Sequence, residues 1–160
     1  SGTLIANGGK LATEQATTSG TSIDFTGIPA GIGHIEIMLN GVSTSGVSIL
    51  QIQIGDSGGV ETTGYLSGVS QGITSTSSTS AFLINAASVA ASAYVGLICL
   101  SLEDGSDNTW VQSGNLVAPG ANVHVSAGAK ATSAVLDRIR LTTAGGTDTF
   151  DAGSVNIRYW

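Results

Sequence analysis

The sequence predicts an all-β protein: an antiparallel β-sandwich or jelly roll of roughly eight to ten short strands with little helix. Three observations predict it. Apolar and polar residues alternate with a period of two in several short runs. Turns rich in Gly, Asn and Asp separate these runs about every ten residues. Charged residues are only 10% of a 160-residue chain that holds 23 glycines, against about 25% charged in ordinary soluble domains.

Taken in order, residues 1–20 read as an N-terminal arm or linker, and 21–160 as a single β-sandwich domain. Ser1 to Lys10 has neither the basic start nor the long apolar core of a signal peptide. In the segment HIEIML, Ile35, Ile37 and Leu39 alternate with His34, Glu36 and Met38, and the Asn40-Gly41 pair that follows predicts a tight hairpin turn. Leu50, Ile52 and Ile54 share one face of the next strand. Gly68–Ser80 is low in complexity and fits either a surface loop or an edge strand of small residues. Ala81–Ile84 and Val95–Leu102 are apolar on both faces, which predicts covered or central strands. Thr109–Val111, Asn122–Val125, Leu136–Thr143 and Val155–Tyr159 complete the set, with Arg138 and Arg140 alternating outward from Ile139 and Leu141. Lys10–Ala16 and Asn85–Ala93 have helix-friendly composition but no amphipathic stripe.

Composition excludes several functions. Five Lys+Arg against eleven Asp+Glu, a net charge of -6, argue against binding nucleic acid through its phosphates. A single cysteine excludes an internal disulfide and multi-cysteine zinc patterns. Ile84–Leu102 is uncharged and long enough to cross a bilayer. Its Asn85, Ser88, Ser92 and Ser101, and its acidic rather than basic flanks, favour a buried strand with its connection over membrane insertion.

The motifs that could carry chemistry have plainer readings. Gly55-Asp56-Ser57-Gly58-Gly59 matches the nucleophile loop of chymotrypsin-like serine proteases. The histidine and aspartate partners are missing at usable positions, so a turn after a strand is expected. The acidic run Glu103, Asp104, Asp107 and Asn108 fits a solvated hairpin turn better than a calcium loop. In Asp148–Asp151 the carboxylates are expected to cap turn N–H groups. No carboxylate pair is marked out for glycoside cleavage. His34 and His124 stand alone, and Cys99 in VGLICLSL reads as a small buried hydrophobe. No catalytic residue, metal centre or cofactor is expected. Phe25, Phe82 and Phe150 read as core. Tyr65, in a Gly-flanked loop, and Asn108 with Trp110 at the acidic turn are the candidate ligand-binding residues, because flat rings near Asn or Asp suit sugars.

A sheet solvated by Ser and Thr lacks charged guards on its exposed edges. Low charge therefore predicts that some faces are covered by sister subunits.

The phrases TSIDFTGIPAGIGHIEIMLNGVSTSG, LQIQIGDSGGVETTGY, VHVSAGAKA and LDRIRLTTAGGTDTFDAGSVNIRYW resemble a family of small phage and prophage virion proteins. Members are described as tail-fibre or other structural proteins. The similarity runs from about Thr21 to Trp160, and FTGIP and GTDTFDAGS are its most specific parts. Where the family often carries a basic pair, this chain has Gly33-His34. The resemblance implies a non-enzymatic virion structural protein, assembled in the bacterial cytoplasm. It would be a tail-fibre or receptor-binding-tip domain that contacts a host receptor or glycan and other virion proteins. It also implies a homotrimer, whose repeated weak sites would gain by avidity. The alternatives are a capsid decoration or head-fibre protein and, less favoured, a glycan-cleaving tail enzyme.

Overall fold

A computed structural model describes residues 9–120 and 123–160, and among these there is no helix. Fourteen antiparallel strands follow one another: β1 (Lys10–Leu11), β2 (Gln15–Ala16), β3 (Ser22–Thr26), β4 (His34–Thr44), β5 (Leu50–Asp56), β6 (Gly59–Val60), β7 (Leu66–Gln71), β8 (Thr74–Ser78), β9 (Phe82–Leu83), β10 (Tyr94–Asp104), β11 (Thr109–Val117), β12 (His124–Ala131), β13 (Arg138–Thr143) and β14 (Phe150–Tyr159). Four of them, β1, β2, β6 and β9, are only two residues long. The large sheet has the order β1-β14-β4-β10-β11-β12-β7-β8, with β2 also on β14. The small sheet has the order β3-β13-β5-β6, with β9 also on β5.

Alternation builds the core between the sheets. Ile35, Ile37 and Leu39 of β4, Ile98 and Leu100 of β10, and Val155 and Ile157 of β14 join Ile52 and Ile54 of β5 and Ile139 and Leu141 of β13 in one buried cluster. Each such side chain contributes about 1.5–3 kcal/mol by leaving water. Phe25, Phe82 and Phe150 belong to it as expected. Arg138 and Arg140 point away from it, and Arg140 forms a two-pronged ion pair with Asp24 of β3 at 2.7 Å on both prongs.

Several expectations need refinement. Residues 10–16 of the N-terminal segment contribute β1 and β2 to the β14 edge; residues 1–8 lie outside the described residues, as does Asn122 ahead of β12. Asn40-Gly41 is not a hairpin turn. β4 runs straight through it, with one extra residue relative to both β10 and β14. Gly41 adopts a φ of 69° there, so the pair makes a β-bulge that bends a central strand. Gly68–Ser80 forms the β7–β8 edge hairpin rather than a loop. Neither helix-friendly segment is helical.

The long uncharged stretch runs from β9 through a pinned loop into β10. Asn85 is buried; its Oδ1 accepts the Leu50 N–H at 2.6 Å and its Nδ2 donates to the Ala87 carbonyl at 2.9 Å. His124 Nδ1 accepts the Ala86 N–H at 2.9 Å. These bonds satisfy the loop's polar groups inside the protein. No helix is long and apolar enough to cross a membrane among the described residues.

Candidate functional site

Tyr65 and Trp110 are not surface rings: each is only 3% exposed. Tyr65 packs edge-on against Phe82 with 4.9 Å between ring centroids. Its hydroxyl accepts the Ile54 N–H at 2.8 Å and lies 3.0 Å from the Glu61 carbonyl and 3.2 Å from the Ile54 carbonyl, so its one proton serves either. Burial pushes the phenol well above its ordinary pKa. Tyr65 is thus a strut between β5 and the segment before β7. Tyr65→Phe should destabilise the fold by about 1–3 kcal/mol through the orphaned Ile54 N–H, read as a lowered urea midpoint. A solvent-facing tyrosine would leave that midpoint unchanged.

The residues around it form a polar cluster. Lys130, on an inward position of β12, pairs with Glu61 and donates to the Ala131 carbonyl. Its ammonium also lies 5.6 Å from the centre of the Tyr65 ring. Ser133 Oγ lies 2.9 Å from Asp56 Oδ2 and 2.7 Å from Glu61 Oε1. Asp56 Oδ1 accepts the Gly58 N–H at 2.7 Å, so the GDSGG segment is the β5–β6 turn with its aspartate as the cap and Ser57 exposed. The Gly58 N–H and the Ser133 hydroxyl hold the Asp56 carboxyl below its usual range. Burial pushes Glu61 up, but hydrogen bonds from Lys130 and Ser133 outweigh it and leave Glu61 low. Both carboxylates are therefore held ionised, whereas general-acid glycoside cleavage needs one raised.

A low folded-state pKa means that stability is present above the unfolded value and is lost as pH falls through the folded one. Acidification below the ordinary glutamate range should thus weaken the fold. Glu61→Gln should cost about 3 kcal/mol at neutral pH by stranding the buried Lys130 charge, and should flatten that acid slope. Urea midpoints at several pH values check both signs.

Asn108 and Trp110 do come together. They line one cavity of about 260 Å³ at the end of the sandwich, with Pro29, Ile32, Leu102 and Leu136. Asn108 closes the β10–β11 hairpin with a φ of 58°, a conformation asparagine tolerates. The acidic run is an exposed hairpin turn, as expected, and it also caps itself: Asp104 Oδ1 accepts the Ser106 N–H and hydroxyl at 2.7 Å, and Asp107 Oδ1 accepts the Thr109 N–H at 3.0 Å. The indole N–H of Trp110 is buried without a hydrogen-bond partner. The ring's edge, rather than an exposed face, is what this cavity could offer a ligand.

The outward side of the large sheet was not singled out in the sequence. From Val95 to Ser101 on β10, and across β11, β12, β7 and β8, its outward positions carry no charge. They include Val95, Leu97, Val111, Val117, Val125 and Leu66, all exposed. A shallow depression of about 570 Å³ lies between Leu97, Val117 and Val125. A second, of about 350 Å³, continues past Val125 to Ser70 and Thr76. The edge strand β8 holds only Ser and Thr, and Ile73 at its turn is fully exposed. Charge lies elsewhere: Asp24 and Arg140 on the small sheet, and Arg158 and Glu36 on β14 and β4.

Cys99 is not a core residue. Ile98 and Leu100 take the inward positions of β10, leaving Cys99 half-buried on the outward side beside Glu36. Burial and the Glu36 charge push its thiol up. His34 and His124 do not form a pair. His124 is buried, which pushes its pKa down, while His34 is half-exposed and bonded to Ser101. Comparison with known proteins finds no matching family model, no matching curated protein and no matching solved structure.

Proposed function

We propose that this chain is a non-enzymatic structural protein of a phage virion. It would be a homotrimeric β-sandwich of a tail fibre or receptor-binding tip, whose loops contact the host surface. The uncharged outward face of the large sheet carries the reading. Five strands about 4.8 Å apart, each presenting about seven residues at 3.3 Å, give a face of roughly 550 Å². Two copies together would cover roughly 1,100 Å², above the ~1,000 Å² expected of a specific interface. The occupant with the matching chemistry is a second copy: in a threefold ring each copy offers this face to one neighbour and meets the other through a different surface, the unguarded Ser/Thr edge, so neither contact has to bury a charge. The virion assignment rests on the resemblance of the FTGIP and GTDTFDAGS segments.

The test is binding of the purified, labelled protein to host cells and to purified capsids. A receptor-binding tip binds cells and leaves capsids bare. Binding to capsids alone would replace this reading with a decoration or head-fibre protein. Time-dependent shortening of a surface polysaccharide would replace it with an enzyme.

A further inference from the structure

Strands β4 and β10 assemble three metal-ligating side chains on the outward side of the large sheet. His34 and Glu36 are two residues apart on β4 and so share a face. Cys99 is the register partner of Glu36, and Ser101 is the partner of His34. One donor atom from each of His34, Glu36 and Cys99 lies within 4.8 Å of the other two. In the single chain all three residues are half-buried: reachable by an ion from solvent, yet held by the strand pairing.

The neighbours favour an ion here. His34 Nδ1 lies 2.9 Å from Ser101 Oγ. If Nδ1 carries the proton and donates it to that oxygen, the Nε2 lone pair stays free, the arrangement that orients metal-binding histidines. Trp160 packs on His34 with 4.4 Å between ring centroids, which limits the imidazole's rotation. Arg158 approaches Glu36 at 3.8 Å, a long contact between half-buried side chains that the carboxylate can give up.

We infer that His34, Glu36 and Cys99 form a three-donor site for a divalent ion of borderline softness, Zn2+ or its spectroscopic substitute Co2+. Thiolate, imidazole and carboxylate together suit such ions, whereas Ca2+ and Mg2+ require oxygen donors. Donors in a tetrahedral zinc shell lie about 3.5 Å apart, given bonds of about 2.0–2.3 Å. From within 4.8 Å the donors would close by about an ångström, through rotation of the Glu36 and Cys99 side chains toward a His34 ring held by Trp160. On binding, the Cys99 thiol releases its proton to solvent, the imidazole binds neutral, and water fills the remaining position. All three donors come from one chain, so the site is complete without a second copy, with Cys99 at the border of the face that a second copy would cover.

The experiment is titration of the full, reduced protein with Co2+, followed by displacement with Zn2+. Saturation at one equivalent, with a thiolate-to-cobalt charge-transfer band and quenching of Trp160 fluorescence, is the expected result. In zinc competition against a chromophoric chelator, Cys99→Ser and Glu36→Gln should each weaken binding by about tenfold or more. Both positions are half-buried, and the thermal unfolding of each variant without metal reports whether it is folded. Absence of saturable binding in the wild type would overturn the inference. So would folded variants that bind Zn2+ as tightly as the wild type.

Discussion

Gly153→Ala is expected to lower the stability of the fold by about 3–5 kcal/mol. Gly153 has a φ of 89° and backs onto the bulge of β4. A Cβ there would stand 2.3 Å from the Gly41 carbonyl oxygen and 2.6 Å from the Val42 nitrogen. Both are backbone atoms of a central strand paired on each side, so they cannot turn aside as a side chain would. Left-handed strain for a non-glycine residue costs about 1–3 kcal/mol, and forced overlap in a packed region adds about 1–3 kcal/mol. For a chain of this size the melting temperature should fall by roughly 10 °C. Gly27→Ala is the internal comparison. Gly27 has a φ of 72° with no atom within 4 Å of an added Cβ, so it carries the conformational term alone, about 1–2 kcal/mol. Equal effects at the two sites, by calorimetry, would remove the argument from close approach.

Val125→Lys is expected to separate the assembled protein into single chains without unfolding them. Val125 is 53% exposed in the isolated subunit, so a lysine there meets water and the fold tolerates it. It lines both depressions on the outward face of the large sheet. The outward positions around it offer no carboxylate to pair with the ammonium. Once covered by a second copy, an unpaired charge costs about 3–5 kcal/mol, which weakens association on the order of a thousandfold. Thr26→Lys on the small sheet, an exposed position on the charged side, should leave assembly unchanged. Sedimentation of the two variants beside the wild type reads the contrast directly.

Much of the fold was legible because alternation is a local signal. Leu50, Ile52 and Ile54, and likewise Ile139 and Leu141 between their arginines, announce which side turns inward. The signal fails where both sides are apolar. In Val95–Leu102 nothing local tells Ile98 and Leu100 from Leu97 and Cys99; the opposing strands of the small sheet decide it. That is why Cys99 reads as core in sequence and stands outward in the structure. The Asn40-Gly41 pair misleads for a related reason. Its positive φ is real, but pairing to β10 and β14 on both sides turns a hairpin signal into a bulge. At Tyr65 the order of hydrophobicity is inverted: the neighbouring Leu66 is 74% exposed while the tyrosine is buried, its hydroxyl satisfied by backbone groups that only the tertiary fold supplies. Asn108 and Trp110 meet at one cavity, as their closeness in sequence allows. The rest of that cavity is closed by Pro29, Ile32 and Leu136, which arrive from distant parts of the chain. The uncharged sheet face is scattered over β10, β11, β12 and β7, and only their pairing gathers it.

The most direct test of self-association through that face is the solution mass of the purified chain by light scattering. The account predicts three times the 15.9 kDa of one chain, unchanged across micromolar dilution. A mass of a single chain at those concentrations would contradict it, and would leave the uncharged face of the large sheet without its second copy.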